Sequence, residues 1–244
     1  MPSSRSRLSE LERLGAVPFA HRGLHGAGLV ENSGGAIAAA VARGFGVELD
    51  VQLSRDGEAM VFHDYELDRL TAAEGPVAAL TAAELQAIRL NVCNEAMPRL
   101  PEALTAIAGR VPLIIEVKSP DRRVALLCAA VAKAVAGYGG PVGIMSFNPE
   151  VGGWFARNAP AVLRGLVVTE SGRRGLRGRI ERPLALWRAR ADFLAYDIRD
   201  LPSRFAGAAR RRAIPVYTWT VRSEADRARA AAHADQIIFE APPP

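Results

Sequence analysis

The feature that most constrains the fold of this chain is a regular alternation of short apolar strands with helices through its C-terminal half. The sequence predicts strands at 142–145, 163–168, 193–196, 216–220 and 236–239, separated by helices at 150–157, 180–188, 203–212 and 223–232. Strands that are separated by helices are typical of parallel sheets, in which each helix crosses back over the sheet. The C-terminal half therefore predicts consecutive strand–helix units of one sheet.

The N-terminal half contributes three more predicted strands, at 17–20, 45–53 and 111–117, so that eight alternate with helices. Eight such units in 244 residues match a closed (β/α)8 TIM barrel, which commonly uses about 250 residues as one domain. We therefore predict an α/β fold, with a single TIM-barrel domain over residues 1–244. A short amphipathic helix precedes the first strand, and a small insertion follows the second.

The second predicted strand carries two carboxylates where an ordinary surface strand needs none. Apolar residues occupy alternate positions from Phe45 to Leu53, and Glu48 and Asp50 lie between them on one shared face. Asp56-Gly57 then predicts a chain reversal, and a second apolar run ends at His63. A hairpin would bring His63 back towards the carboxylate pair. By spacing alone, the pair fits an exposed strand face as well as a functional site.

Other unusual polar residues fall at the ends of neighbouring strands. His21 and Arg22 follow the first strand, and Glu116 and Lys118 end the third. In TIM barrels the functional groups lie at the C-terminal ends of the strands, because packed apolar side chains fill the interior below. We therefore expect these residues to meet Glu48 and Asp50 at the barrel mouth.

Three carboxylates in one partly desolvated mouth repel one another unless a cation lies between them. Glu48, Asp50 and Glu116 therefore predict one bound divalent ion, and ligation by oxygen alone favours Mg²⁺ or Ca²⁺ over zinc. Arg22 and Lys118 suit contacts to phosphate oxygens. His21 and His63 can act as general base and acid near neutral pH. Together these groups indicate phosphoryl transfer.

A series of short motifs runs in order from the first strand to the eighth. They are His21-Arg22-Gly23, Glu31-Asn32, Glu48-Leu49-Asp50-Val51, Asp56-Gly57, His63-Asp64, Leu67-Asp68-Arg69-Leu70-Thr71, Glu116-Val117-Lys118, Ser146-Phe147 and Trp219-Thr220-Val221. In this order the motifs closely resemble those of the glycerophosphodiester phosphodiesterases. The resemblance covers nearly the whole chain.

This resemblance implies hydrolysis of deacylated phospholipid head groups to glycerol 3-phosphate and a free alcohol. It places the metal on Glu48, Asp50 and Glu116, the acid and base on His21 and His63, and the phosphate on Arg22 and Lys118. It also implies that Trp219 is a wall of the substrate site. Asn32 would either bind the metal itself or support the residues that bind it. In that family the neighbouring glycerol hydroxyl attacks phosphorus first, giving a cyclic phosphate that water then opens.

The chain departs from the family pattern at several places, and these put the substrate in question. Leu24-His25 stands where a glycine is usual, Ser33 where a threonine is usual, and Glu240 where the last strand usually ends in Thr-Asp. The insertion after the second strand is also short. Two alternatives stay open: cleavage of lysophospholipids in the manner of a lysophospholipase D, and a non-catalytic barrel that binds anions or membranes.

The basic residues of the chain are mostly arginine, and seven of them lie between Arg173 and Arg190. With a net charge of +5, this stretch fits a solvated loop and helix face, or else a weak contact with an anionic membrane or a charged head group. No recognised nucleic-acid-binding module accompanies the charge, so nucleic acid is not an expected partner. The oligomeric state is not predicted.

The N-terminus carries no apolar segment of signal-peptide length, and the longest apolar run, 124–132, is too short to span a bilayer. These features favour a soluble cytoplasmic protein. Cys93 and Cys128 have no CxxC spacing and predict neither a disulfide framework nor a zinc site.

Overall fold

A computed structural model describes residues 4–240 of the chain. Its strands are β1 (Phe19–Ala20), β2 (Gly46–Leu53), β3 (Ala59–Val61), β4 (Leu113–Val117), β5 (Val142–Ser146), β6 (Leu163–Val168), β7 (Phe193–Asp197), β8 (Val216–Val221) and β9 (Gln236–Phe239). Its helices are α1 (Ser4–Leu14), α2 (Gly34–Ala42), α3 (Ala82–Ala87), α4 (Leu100–Ile107), α5 (Ala125–Val135), α6 (Pro149–Asn158), α7 (Leu176–Ala189), α8 (Arg204–Arg210) and α9 (Glu224–His233).

Eight of these strands form a closed parallel barrel. Each strand from β4 to β9 pairs in parallel with the next, β9 pairs with β1, β1 with β2, and β2 with β4. Strand β3 lies outside the ring and pairs antiparallel with the end of β2 as a hairpin. The (β/α)8 barrel that the sequence predicts is confirmed, together with the hairpin after the second barrel strand.

The N-terminal end of the barrel is filled by large apolar side chains. Leu14 of α1 is fully buried and packs with Phe19, Phe193 and Tyr217, which lie in the first two residues of their strands. Gly165 makes room for them, since a Cβ there would lie 2.4 Å from the Phe193 ring. Helix α1, which the sequence predicts before the first strand, therefore closes this end of the barrel and leaves the opposite end for polar side chains.

In strand β2, the positions of the apolar residues determine the face to which the polar side chains point. Val47, Leu49 and Val51 are buried in the layer between the strands and the surrounding helices. Because successive side chains point to opposite faces, Glu48 and Asp50 must point into the barrel. Burying each of the three apolar side chains contributes about 1.5–3 kcal/mol, so this packing favours the strand orientation that places the carboxylates inside.

The insertion after β3 has a small apolar cluster of its own. Met60, Phe62, Leu67, Leu85 and Met97 are fully or almost fully buried in this cluster. The insertion thus packs as a compact unit beside the mouth.

Helix α7 begins four residues before the predicted start at Ile180 and runs from Leu176 to Ala189. The predicted start was wrong because glycine is a poor helix former, and Gly178 falls in the first turn. The structure requires glycine there, since a Cβ on Gly178 would lie 1.8 Å from the Arg173 carbonyl oxygen. Across residues 4–240, the helices are too short or too polar to cross a bilayer.

Candidate active site at the barrel mouth

Three buried carboxylates meet at the C-terminal end of the barrel. Glu48 and Asp50 lie on β2 and Glu116 on the adjacent β4, with Asp50 directly opposite Glu116 in the strand register. Their exposed fractions are 0, 1 and 6%. One oxygen from each carboxylate lies within 4.8 Å of the others. The structure thus brings together the three residues that the sequence predicts as metal ligands.

The electrostatics of this group suit a divalent cation. Burial, followed by repulsion from Asp50, raises the pKa of Glu48 well above its ordinary value, and burial likewise raises the pKa of Glu116. Glu48 Oε1 is buried and accepts no hydrogen bond from any residue between 4 and 240. A buried charged oxygen without a partner is costly, and a hard cation with oxygen ligands would satisfy it. The three residues therefore fit a bound divalent ion.

Two basic side chains partly neutralise the carboxylates. Lys118 Nζ lies 2.9 Å from Asp50 Oδ1 and 2.6 Å from Glu116 Oε1, and Arg22 Nε lies 3.3 Å from Asp50 Oδ2. Burial alone would raise the pKa of Asp50, but Lys118 and Arg22 outweigh it, and the pKa is lowered. Arg22 and Lys118 also line the cleft at the mouth, so both can face a substrate there.

The loop after β1 holds two of the predicted site residues in an unusual backbone conformation. Arg22 and Asn32 have positive φ angles of 58° and 60°. Residues other than glycine rarely adopt such angles, although asparagine does so more often than most. In this conformation the Arg22 N–H donates to Glu48 Oε2 at 3.0 Å. Asn32 Nδ2 donates to Asp50 Oδ2 at 3.0 Å, and Asn32 Oδ1 accepts from the Asp50 N–H. The backbone conformation at these two positions thus helps to orient the carboxylates of Glu48 and Asp50.

Both predicted histidines carry a carboxylate partner on the same ring nitrogen. His21 Nδ1 lies 2.9 Å from Glu240 Oε1, and His63 Nδ1 lies 2.6 Å from Asp64 Oδ1. Since an ionised carboxylate only accepts, we assign the proton to Nδ1 in both rings, which leaves each Nε2 as a proton acceptor. Burial lowers the pKa of both histidines, so the neutral form predominates at pH 7.

A cleft of about 510 Å³ opens above these groups. His21, Arg22, His63, Glu116, Lys118, Met145, Phe147, Asp197, Ile198, Arg199, Trp219, Thr220, Arg222, Asp226 and Ile238 line it. Trp219 forms one wall: its Nε1 donates to the Ala195 carbonyl at 2.9 Å, and its ring meets Phe147 edge-on at 5.6 Å. Trp219 is thus held in place beside the histidines and the carboxylates.

Glu240 and Glu31 make contacts at the site that the sequence does not predict. Glu240 directly follows β9 and contacts His21, and Glu31 accepts from Arg22 and from Arg69 of the insertion. Arg69 also donates to Asp64, so it ties the insertion to the partner of His63. Its position alone could have indicated that Glu240 is a site residue, since it is a charged residue at the end of a barrel strand.

A second group of potential ligands, His21, His25 and Glu240, also lies within 4.8 Å. Arg222 already donates to both oxygens of this Glu240 carboxylate. A guanidinium in that place repels a metal ion, so the arrangement fits an ion pair that supports His21 better than a second cation site.

Curated proteins of known name match parts of this chain. It is 36% identical over 109 residues to a glycerophosphodiester phosphodiesterase of Caldanaerobacter subterraneus subsp. tengcongensis, which is 41% of this chain and 44% of that protein. It is 34% identical over 89 residues to a glycerophosphodiester phosphodiesterase of Bacillus subtilis, or 31% of this chain and 30% of that protein. The matched segments span less than half the length of either relative.

Solved structures share the whole fold. A phosphodiesterase of Oleispira antarctica, solved in complex with the product sn-glycerol 3-phosphate, has a TM-score of 0.81 at 23% identity over 92% of each chain. A glycerophosphodiester phosphodiesterase of Thermotoga maritima has a TM-score of 0.74 at 22% identity over 92% of this chain and 94% of that one. A family model, that of the glycerophosphoryl diester phosphodiesterases, matches residues 21–242. The chain belongs to the glycerophosphoryl diester phosphodiesterase family.

Proposed function

We propose that this protein hydrolyses glycerophosphodiesters to glycerol 3-phosphate and a free alcohol, using Mg²⁺ or Ca²⁺ held by Glu48, Asp50 and Glu116. The observation that carries the proposal is the group of three buried carboxylates, within 4.8 Å of one another, beside two histidines at the barrel mouth. The family and the product bound to the Oleispira antarctica relative support the same substrate class. A cation bound there would polarise the phosphoryl group and neutralise its charge.

The side chains of this protein have distinct tasks in that reaction. Arg22 and Lys118 hold the phosphate oxygens and offset their negative charge. One histidine Nε2 accepts the proton of the neighbouring glycerol hydroxyl while that oxygen bonds to phosphorus. The other histidine carries a proton on Nε2 as well, and it donates this proton to the alcohol oxygen as the bond between that oxygen and phosphorus breaks. In a second step water bonds to phosphorus and opens the cyclic phosphate, and the two histidines exchange roles.

A substrate panel tests the proposal. The purified protein is incubated with glycerophosphocholine, glycerophosphoethanolamine and glycerophosphoglycerol, with chelator, with added Mg²⁺ and with added Ca²⁺. We expect release of glycerol 3-phosphate that chelator abolishes and one of the two ions restores. Failure to release glycerol 3-phosphate from every member of the panel would exclude this substrate class. It would leave the two alternatives, cleavage of lysophospholipids and a non-catalytic barrel.

A substrate with a better leaving group shows which histidine is the general acid and which is the general base. Glycerol phosphodiesters of p-nitrophenol have a leaving group that needs no proton, so a variant without the general acid should keep most of its activity on them. We expect one of His21→Ala and His63→Ala to be rescued by this substrate and the other to stay inactive. Equal losses in both variants on both substrates would contradict a divided acid and base pair.

A specific cavity favours lysophospholipids as a second substrate class. A cavity of about 390 Å³ between β6 and α7 is lined mainly by apolar atoms and shares Phe147 with the catalytic cleft. An acyl chain could enter it while the phosphodiester occupies the mouth. We expect Ala185→Leu, which narrows this cavity, to lower the kcat/KM for lysophosphatidylcholine and to leave that for glycerophosphocholine unchanged. Equal effects on both substrates would exclude this role of the cavity.

A further inference from the structure

The outer face of α7 carries four large apolar side chains in solvent. Leu176, Ile180, Leu184 and Trp187 have exposed fractions of 76, 69, 45 and 74%. At about 100° per residue, the spacings of four, four and three residues place all four on one stripe of the helix. Isolated exposed apolar residues are common, but a continuous stripe along a whole helix marks a contact surface.

Arginines border the apolar stripe on both sides. Arg177 and Arg188 follow it on one edge and Arg179 on the other, and all three are exposed. Residues 171–190 contain seven arginines and one acidic residue, Glu181. Glu181 lies at the edge of the stripe, where it pairs with Arg177 and Arg173. The surface is therefore apolar along its centre and strongly positive along its borders.

We propose that this face of α7 binds the surface of an anionic lipid bilayer. The apolar stripe would enter the boundary between head groups and acyl chains, where tryptophan is favoured, and the flanking arginines would contact lipid phosphates. The helix lies on the membrane in this arrangement and does not span it. The proposal depends on the α7 surface alone and not on the reaction at the barrel mouth.

The charge distribution argues against a second copy of the chain as the occupant. In a two-fold contact through the stripe, the arginine rows of one copy would face the same rows of the other. Like charges in such a contact oppose association, whereas an anionic surface neutralises every arginine at once.

The position of α7 also relates this surface to the catalytic cleft. Helix α7 begins after β6, at the same end of the barrel as the cleft, and the apolar cavity beneath it contains Phe147. Phe147 is 47% exposed and also lines the cleft. A membrane on α7 would therefore lie beside the entrance to the mouth.

Vesicle binding of the full chain tests the proposal. The protein is sedimented with vesicles of phosphatidylglycerol and phosphatidylcholine, and with vesicles of phosphatidylcholine alone, at about 0.05 M and 0.5 M salt. We expect binding to the anionic vesicles that weakens at high salt. The emission of the protein should shift to the blue on binding, and Trp187→Phe should remove that shift.

Matched variants separate the two parts of the surface. The double variant Ile180→Ser and Trp187→Ser should bind anionic vesicles about tenfold or more weakly, because it removes two inserted side chains. Arg177→Gln and Arg188→Gln should each weaken binding about fivefold at low salt. Leu126→Ser on α5, where the side chain is 69% exposed, is the control and should bind like the unchanged protein.

Three outcomes would overturn the proposal. The first is no binding to anionic vesicles at either salt concentration. The second is binding that the α7 variants and Leu126→Ser weaken equally. The third is a dimer in analytical ultracentrifugation that the double variant converts to a monomer, since the stripe would then join two copies.

Discussion

The barrel mouth and the outer face of α7 depart in opposite ways from the rule that charges face water and apolar groups face the core. At the mouth, Glu48 is fully buried. The side chain of Arg22, which lies among carboxylates, is only 16% exposed. On α7, the side chain of Arg177 is 91% exposed, and Trp187 is 74% exposed. A buried charge is costly unless it is paired, and a continuous exposed apolar stripe marks a contact surface. The two regions therefore match the two proposed partners: a cation with a phosphodiester at the mouth, and an apolar, anionic surface on α7.

The largest expected effect is that of Glu48→Gln at the mouth. Loss of one charged ligand should lower kcat/KM for a glycerophosphodiester by at least about 10³-fold and abolish tight metal binding. The fold should persist, because burial disfavours the charged form of Glu48 and raises its pKa, and glutamine places a neutral side chain of the same shape there. Steady-state kinetics, metal titration and thermal unfolding of the metal-free protein check this. Full activity in the variant would refute the metal site.

The next effect concerns the support of His21 by Glu240. Glu240→Gln keeps the shape of the side chain but removes the charge behind His21 Nδ1, and we expect kcat to fall about 10- to 100-fold with KM unchanged. Glu224→Gln is the matched control, since Glu224 is a surface residue of α9 whose side chain is 84% exposed. Kinetics of both variants on one substrate provide the measurement. Similar kinetics in the two variants would remove Glu240 from the site.

A smaller effect is the pH dependence of metal binding. Burial raises the pKa of Glu48 and Glu116 above 4.5, and both must be ionised to bind a cation. Metal affinity should therefore fall as the pH is lowered towards these raised pKa values, by about tenfold per pH unit for each proton released. Calorimetric titration in two buffers of different ionisation enthalpy counts the protons. Binding without proton release, at constant affinity from pH 8 down to about pH 4.5, would contradict the raised pKa values.

The smallest effect is expected on α7, away from membranes. Ile180→Ser should change the free energy of unfolding by no more than about 0.5 kcal/mol and leave the kinetics on glycerophosphocholine unchanged. Phe193→Ala inside the barrel should instead cost about 3–5 kcal/mol. Chemical denaturation of both variants makes the comparison. A large loss of stability in Ile180→Ser would mean that the stripe packs against the chain itself.

Most of the fold and much of the site follow from local patterns in the sequence. The alternation of strands and helices predicts the barrel, and the period of two along β2 predicts that Glu48 and Asp50 share one face. Asp56-Gly57 predicts the hairpin that returns His63 to the mouth. The geometry follows these patterns, while the roles of the residues as ligands, acid and base are still predictions.

The features that the sequence did not predict depend on contacts between distant parts of the chain. Glu240 lies 219 positions from His21, and the closure of the ring between β9 and β1 brings them within 2.9 Å. The early start of α7 depends on the close approach of the Arg173 carbonyl to Gly178. Neither contact leaves a periodic signal.

The sequence by itself thus determined which side chains point into the barrel, because the alternation of strand side chains is a local property of the backbone. Only the tertiary structure decided which of these groups touch, which nitrogen of each histidine is free, and which apolar side chains lack a partner. Those properties depend on strand register, ring closure and the packing of helices around the barrel, and each of these joins residues that are far apart in the chain.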